Sequence, residues 1–125
     1  MFVSRVISDD GLRSTSDGIS IDIRVPWYRS LPLSVVSIAE VKIDGEAIPP
    51  ELLSLEANGK RFTLEQLRHH ATEWWFVLDS AYIHVKGKRL TPGVEHTVSV
   101  GVGIRPPYIP GFFRITECTK QLTVR

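Results

Sequence analysis

The sequence predicts an all-β chain: a single domain over residues 1–125 built as an antiparallel β-sandwich, jelly-roll-like, with at most one or two short helical turns. Three observations carry this. Apolar and polar residues alternate with period two, most cleanly where Ile19, Ile21, Ile23 and Val25 interleave with Ser20, Asp22 and Arg24. Turn signals separate the short apolar runs, as at Asp44-Gly45, Asn58-Gly59 and Pro92-Gly93. No stretch shows a strand–helix–strand rhythm, an internal repeat or a linker. A length of 125 residues suits one domain and is too short for two, and 42% hydrophobic with 23% charged residues is the composition of a packed chain.

Taken in order, Asp9-Asp10-Gly11 reads as a turn and Ser14 to Gly18 as a polar loop. The strand Ile19–Val25 stops at Pro26, which cannot donate to a ladder. Residues 26–32 form a loop bracketed by Pro26 and Pro32. Leu33 to Ile43 reads as a strand, bent or buried on both sides in its first half, with Val35, Ser37, Ala39, Val41 and Ile43 on one face. Asp44-Gly45 turns it into a short return strand, which Pro49-Pro50 breaks. Glu51 to Leu55 reads as one helical turn. Thr63-Leu64-Glu65-Gln66 is a capping box opening a short helix to His70. Trp74 to Leu78 reads as a buried strand with one of Trp74 and Trp75 facing in, and Tyr82 to Lys86 as another strand. Val94 to Ile104 is a long strand in which Gly101 and Gly103 mark a bulge or close packing. Pro106, Pro107 and Pro110 make residues 105–111 a loop, and Phe112 to Val124 forms the last strand. The first and last strands are potential edges that need cover.

Composition narrows the function classes. Fifteen basic against 14 acidic residues leave a net charge of +1, without the basic footprint of a nucleic-acid binder. One cysteine allows no disulfide framework and no thiolate cluster. No apolar run approaches the roughly 20 residues of a membrane span, and the N-terminal MFVSRVISDD has no apolar signal-peptide core. The expectation is a soluble cytoplasmic chain. His69 and His70 are adjacent and point apart on a helix, while His84 and His96 lie on separate strands outside any metal-ligand spacing. They read as structural or surface residues. Cys118 reads as a buried, inert thiol. There is no G-x-S-x-G elbow, and Gly101-Val102-Gly103 lacks the helix a phosphate loop needs. No catalytic residue is assigned.

Two segments stand out. One holds Arg24, Trp27, Tyr28 and Arg29 around a proline-stiffened loop; the other, residues 105–113, holds Arg105 and Tyr108 among prolines and ends in Phe112-Phe113. Trp, Tyr and Arg are the side chains that anchor interfaces. They also stack on sugars and flat rings. Stiff loops lose less entropy on binding. Trp27 can equally roof the core or face a partner, whereas the polar tips of Tyr28 and Tyr108 favour contact.

Met1-Phe2, Val6 to Arg13, Arg24-Val25-Pro26-Trp27-Tyr28-Arg29-Ser30-Leu31-Pro32-Leu33-Ser34 and Asp44-Gly45 resemble the small β subunit of bacterial C-glycoside deglycosidases. Arg105-Pro106-Pro107-Tyr108 and the Cys118-x-Lys120 strand look like its C-terminal part. The resemblance implies a subunit of a carbon–carbon lyase that splits C-glucosides of flavonoid-type aglycones after oxidation at the sugar 3-position. The ketone acidifies the neighbouring C–H, and the aglycone leaves by elimination. It implies an active site in a larger, sugar-isomerase-like TIM-barrel α subunit holding a divalent metal, typically manganese, with no cofactor in this chain. On that reading Arg24, Trp27, Tyr28, Arg29, Arg105 and Tyr108 line the subunit interface or border the substrate pocket. A free-standing carbohydrate-binding β-sandwich and a small β enzyme with a scattered site are the alternatives.

Overall fold

The computed structural model describes residues 5–125, so Met1 and Phe2 of the resemblance lie outside the described residues. The chain forms strands β1 (Ile7–Thr15), β2 (Gly18–Ile23), β3 (Leu31–Pro32), β4 (Val36–Ile43), β5 (Glu46–Ala47), β6 (Leu53–Ala57), β7 (Lys60–Thr63), β8 (Trp74–Trp75), β9 (Ala81–Lys86), β10 (Glu95–Ile104) and β11 (Arg114–Thr123), with one helical turn, α1 (Leu64–Leu67). A five-stranded sheet runs β1-β2-β9-β6-β7, a four-stranded sheet β11-β10-β4-β5, and β3-β8 is a small ribbon. Each of these pairings is antiparallel. Ile19, Ile21, Ile23, Leu55 and Ile83 of the first sheet share one core with Val41, Ile43, Val98, Val100 and Val102 of the second. This is the expected all-β sandwich. Each such side chain, fully buried, contributes about 1.5–3 kcal/mol.

Turn chemistry is followed closely in places. Asp44-Gly45 and Asn58-Gly59 both have positive φ (52° and 81°, 56° and 74°), the type I′ signature that matches strand twist. They close the β4–β5 and β6–β7 hairpins. The capping box forms as read: Thr63 Oγ1 accepts from Gln66 N–H, and Gln66 Oε1 from Thr63 N–H. The helix then ends at Leu67, short of His70.

Other expectations are corrected. Asp9-Asp10-Gly11 is not a turn but a bulge inside β1, where pairing jumps from Ile7–Ile23 to Leu12–Ile21. A Cβ on Gly11 would sit 2.9 Å from the Ser8 carbonyl oxygen and 3.1 Å from that of Asp22, so the glycine serves close backbone approach. The loop expected over residues 14–18 shrinks to a hairpin turn between Thr15 and Gly18. Leu33–Val35 is a 3-10 turn rather than strand. Glu40 pairs with Gly101 but Ile38 with Val102, so β4 carries one extra residue there. The bulge reverses the alternation: Val36 and Ile38 join the core side, and Ser37 and Ala39 are exposed. The helical turn expected over residues 51–55 is a 3-10 turn at Pro50–Leu52, followed directly by β6. Trp74 to Leu78 is strand only at Trp74–Trp75, and Phe76 and Leu78 are exposed. Phe112 precedes β11, and Val94 precedes β10.

The two outer strands cover one another at a corner of the sandwich. Ser14 N–H donates to the Arg125 carbonyl at 2.9 Å, and Arg125 N–H to that of Leu12 at 3.0 Å. Lys120 Nζ reaches the Ile7 carbonyl and Asp9, and Arg125 reaches Asp10. This answers the need to cover β1 and β11.

Two glycines make opposite predictions. A Cβ on Gly18 would lie 1.9 Å from the Val85 carbonyl oxygen. Gly18→Ala should therefore destabilise by about 1–3 kcal/mol or more through backbone displacement at the β2–β9 end. A Cβ on Gly101 meets its nearest neighbour, Ala39 Cβ, at an ordinary 3.6 Å. Gly101→Ala should be neutral or stabilising by up to about 1 kcal/mol. Urea midpoints of the two variants check both.

Acid sensitivity follows from the surface carboxylates. Lys120 holds Asp9 below its usual pKa, the Thr15 hydroxyl does so for Asp17, His96 with the Thr97 N–H for Asp44, and Lys60 with Asn58 for Glu73. A carboxyl depressed in the folded state contributes stability that is present above its unfolded pKa and is lost as pH falls through the folded value. Denaturant midpoints should hold from pH 7 down to about pH 5 and fall below about pH 4. A midpoint that rises below pH 4 would contradict this.

Candidate functional site

The proline-stiffened loop after β2 is held from both sides. Leu31 and Pro32 pair with Trp75 and Trp74, and Ser30 Oγ accepts from Val77 N–H at 2.8 Å. Trp27 turns inward and is 7% exposed, so it roofs the core. It also links the two loops, because its Nε1–H donates to the Tyr108 hydroxyl. The Trp27 ring packs against Tyr28 at 4.8 Å and 37° and against Phe112 at 5.7 Å and 46°. Both are tilted arrangements of the kind aromatic pairs favour.

Cations lie over these rings. The Arg29 guanidinium is 5.6 Å from the Tyr28 ring and 5.6 Å from the Tyr108 ring. Arg114 stands 5.5 Å from Phe112, and Arg105 stands 4.7 Å from Phe113. Each exposed contact contributes about 0.5–1 kcal/mol. The Tyr108 hydroxyl beside Tyr28 raises the Tyr28 phenol above its ordinary pKa. The result is one cluster, Trp27, Tyr28, Arg29, Tyr108, Phe112 and Arg114, from which Tyr28 and Tyr108 stay about half exposed. Scattered exposed apolar side chains are ordinary, whereas a contiguous rigid cluster marks an interaction site.

Of the six residues singled out in the sequence, Trp27, Tyr28, Arg29 and Tyr108 meet directly. Arg105 opens the second loop and stacks on Phe113. Arg24 does not join them: its guanidinium donates to the Leu78 carbonyl at 2.7 Å and lies 4.0 Å from Asp22. Phe113 closes the second segment as read, whereas Arg114, which stands over Phe112, was missed, because Phe112 to Val124 reads as one continuous strand. The Gly111-Phe112-Phe113-Arg114 junction, with paired aromatics beside a cation just after a proline loop, was the available signal. Phe76 and Leu78 were missed as exposed side chains for the same reason.

The histidines and the cysteine are engaged elsewhere. His84 Nε2 is 2.8 Å from Glu56, His96 Nδ1 is 2.6 Å from Asp44, and the His70 ring packs on Phe62. Cys118 is buried on β11. Among the described residues no group of three or more His, Cys, Asp or Glu converges as a metal site, and no helix is long and apolar enough to cross a membrane.

The sequence model of one family, described as C-glycoside deglycosidase beta subunit, matches residues 2–108. The chain belongs to that family. The matched span takes in both aromatic loops as far as Tyr108, whereas the Cys118-x-Lys120 part of the resemblance lies beyond it. A C-glycoside deglycosidase beta subunit from Microbacterium trichothecenolyticum is 39% identical over 87% of this chain and 82% of its own length. A 3'-dehydrocarminate deglycosidase beta subunit from a Microbacterium species is 36% identical over 88% and 83%. A C-glycoside deglycosidase beta subunit from Arthrobacter globiformis is 36% identical over 87% and 83%.

Proposed function

We propose that this chain is the accessory β subunit of a cytoplasmic, heteromeric C-glycoside deglycosidase. On this reading it is inactive alone and seats a larger metal-dependent TIM-barrel α subunit on the surface formed by Tyr28, Arg29, Arg105 and Tyr108. The complex acts as a carbon–carbon lyase on 3-oxidised C-glucosides of flavonoid-type aglycones. Membership of the deglycosidase β-subunit family supports the subunit role. The relative named for a 3'-dehydro compound supports a sugar oxidised at that position. The observation that carries the docking surface is the Trp27–Tyr108 hydrogen bond, which locks two distant loops into one rigid aromatic and cationic face. Rigid Tyr and Arg side chains lose little entropy on association.

The divalent metal, manganese by the resemblance, belongs to the α subunit on this reading. The described residues of this chain offer no convergent ligand set to hold it, and no step is assigned to them. The deciding experiment is a manganese-supplemented turnover assay on a 3-oxidised C-glucoside with this chain alone, the α subunit alone and the co-expressed pair. Turnover by the pair only is expected. Turnover by this chain alone overturns the accessory role. Glycan binding by the free chain at Tyr28 and Tyr108, with no gain of turnover in the pair, favours the carbohydrate-binding module instead.

A further inference from the structure

Elsewhere on the surface, cations such as Arg61, Lys120 and Arg125 are met by carboxylates, those of Asp17, Asp9 and Asp10. The two cations of the aromatic cluster are not. Among the described residues, Arg29 and Arg114 pair with no carboxylate and make no hydrogen bond through their guanidinium groups. Rings hold them instead. Arg29 stands 5.6 Å from the Tyr28 ring and 5.6 Å from the Tyr108 ring. Arg114 stands 5.5 Å from Phe112 and 6.0 Å from Trp27. Trp27 joins the two halves, because its ring packs on Tyr28 and Phe112 and its N–H donates to Tyr108.

That arrangement restricts what binds there. A guanidinium attracted to a ring still has five N–H donors to offer, in a planar fork that matches a carboxylate. Two rings limit where the Arg29 fork can sit, so less side-chain entropy is lost when a partner engages it. The Tyr108 hydroxyl accepts from Trp27 and keeps its own O–H to donate. Tyr28, Arg29, Tyr108 and Arg114 are all exposed. The cluster therefore presents donors and positive charge with no acid of its own, and its complement is an anionic acceptor. A net charge of +1 lacks the basic footprint that a phosphate backbone requires. Two arginines set among aromatic rings suit the carboxylates of a protein surface.

We propose that Arg29 is a carboxylate receptor in the subunit interface: its fork takes an Asp or Glu side chain of the α subunit, and Arg114 meets a second acidic group of the same surface. This rests on the reading that the α subunit docks at this cluster, and it adds the chemistry that the α subunit brings. The test is equilibrium titration of the full chain with the α subunit at about 50 mM and about 500 mM sodium chloride. Arg29→Gln should weaken association about tenfold or more at the lower salt. The gap should narrow at the higher salt, because an ion pair is screened. Arg29→Lys keeps the charge but not the fork, so it should lose a smaller, severalfold amount; it serves as the test should Arg29→Gln fail to fold. Arg13→Gln is the control. Arg13 is exposed on β1, and among the described residues it pairs with no carboxylate and stands over no ring. Its loss should change affinity by about twofold at most. Arg29→Gln and Arg29→Lys binding as tightly as the unaltered chain overturn the inference. If Tyr108→Ala is weakened in the same titration, the docking face stands without the carboxylate; if it is not, the face falls as well. Equal losses in Arg29→Gln and Arg13→Gln overturn the inference as general attraction between the chains. A loss as large at high salt as at low also overturns it, because contact area rather than charge is then what Arg29 supplies.

Discussion

Trp75→Ala should cost about 3–5 kcal/mol of stability, the range for removing a large aromatic from a packed core. The Trp75 ring is 1% exposed, and its Nε1–H donates to the Asp79 carbonyl at 3.1 Å. Its backbone pairs with Leu31, the residue that ends the aromatic loop after β2. Truncation therefore opens a cavity, removes the hydrogen bond to the Asp79 carbonyl and loosens the ribbon that holds Ser30 and Trp27 in place. Against a total stability of about 5–15 kcal/mol for a domain of this kind, that is a large share. The thermal midpoint should fall by on the order of 10–20 °C. Trp74→Ala is the control, because Trp74 is 41% exposed and its ring lies outside the core. Its midpoint should move by no more than a few degrees. Equal losses in the two variants would mean that the ribbon, and not the core position, sets the cost.

That pair of residues shows what the sequence could and could not specify. Two adjacent strand residues must face opposite ways, so one Trp in and one out was readable. The end of the strand was not. Phe76, Val77 and Leu78 look like continued core, but Ser30 takes the Val77 N–H and turns the chain aside. A contact across 47 residues leaves no local trace. The β1 bulge is similar. Asp-Asp-Gly suits a turn or a bulge equally, and only the packing of Gly11 against Asp22 decides. In β4 the extra residue opposite Gly101 and Val102 reverses the inward face, whereas strict period two carries Ala39 to the core side. Legible elements were those fixed within a few residues: the two positive-φ turns, the capping box and the Ile19–Ile23 alternation.

The site divides in the same way. Residue type and loop stiffness flagged Trp27, Tyr28, Arg29, Arg105 and Tyr108, but nothing local joins position 27 to position 108. The join is made by the Trp27–Tyr108 hydrogen bond over a shared core. Arg24 was grouped with them by proximity in sequence, but its own contacts are with Leu78 and Asp22 and not with these rings.

Tyr108→Ala should weaken association with the α subunit by about 2 kcal/mol or more, roughly 30-fold, if the proposed face docks it. Its side chain gives the clearest test because exposure and bonding separate. About half of Tyr108 is exposed, so truncation removes contact area without emptying the core. Trp27→Ala is a poorer probe: its ring is nearly buried, and a loss of binding there mixes with a loss of fold. Tyr108→Phe keeps the ring under Arg29 but removes the acceptor of the Trp27 N–H. It should lower the stability of the free chain by about 1 kcal/mol while association falls less than in Tyr108→Ala. Pull-down titration for association and urea midpoints for stability read the two effects apart. Tyr108→Ala and Tyr28→Ala binding the α subunit as tightly as the unaltered chain, with midpoints also unchanged, would move the interface off this face. A stability loss in Tyr108→Phe that matches that of Tyr108→Ala would place the role of Tyr108 in joining the loops rather than in contacting the partner.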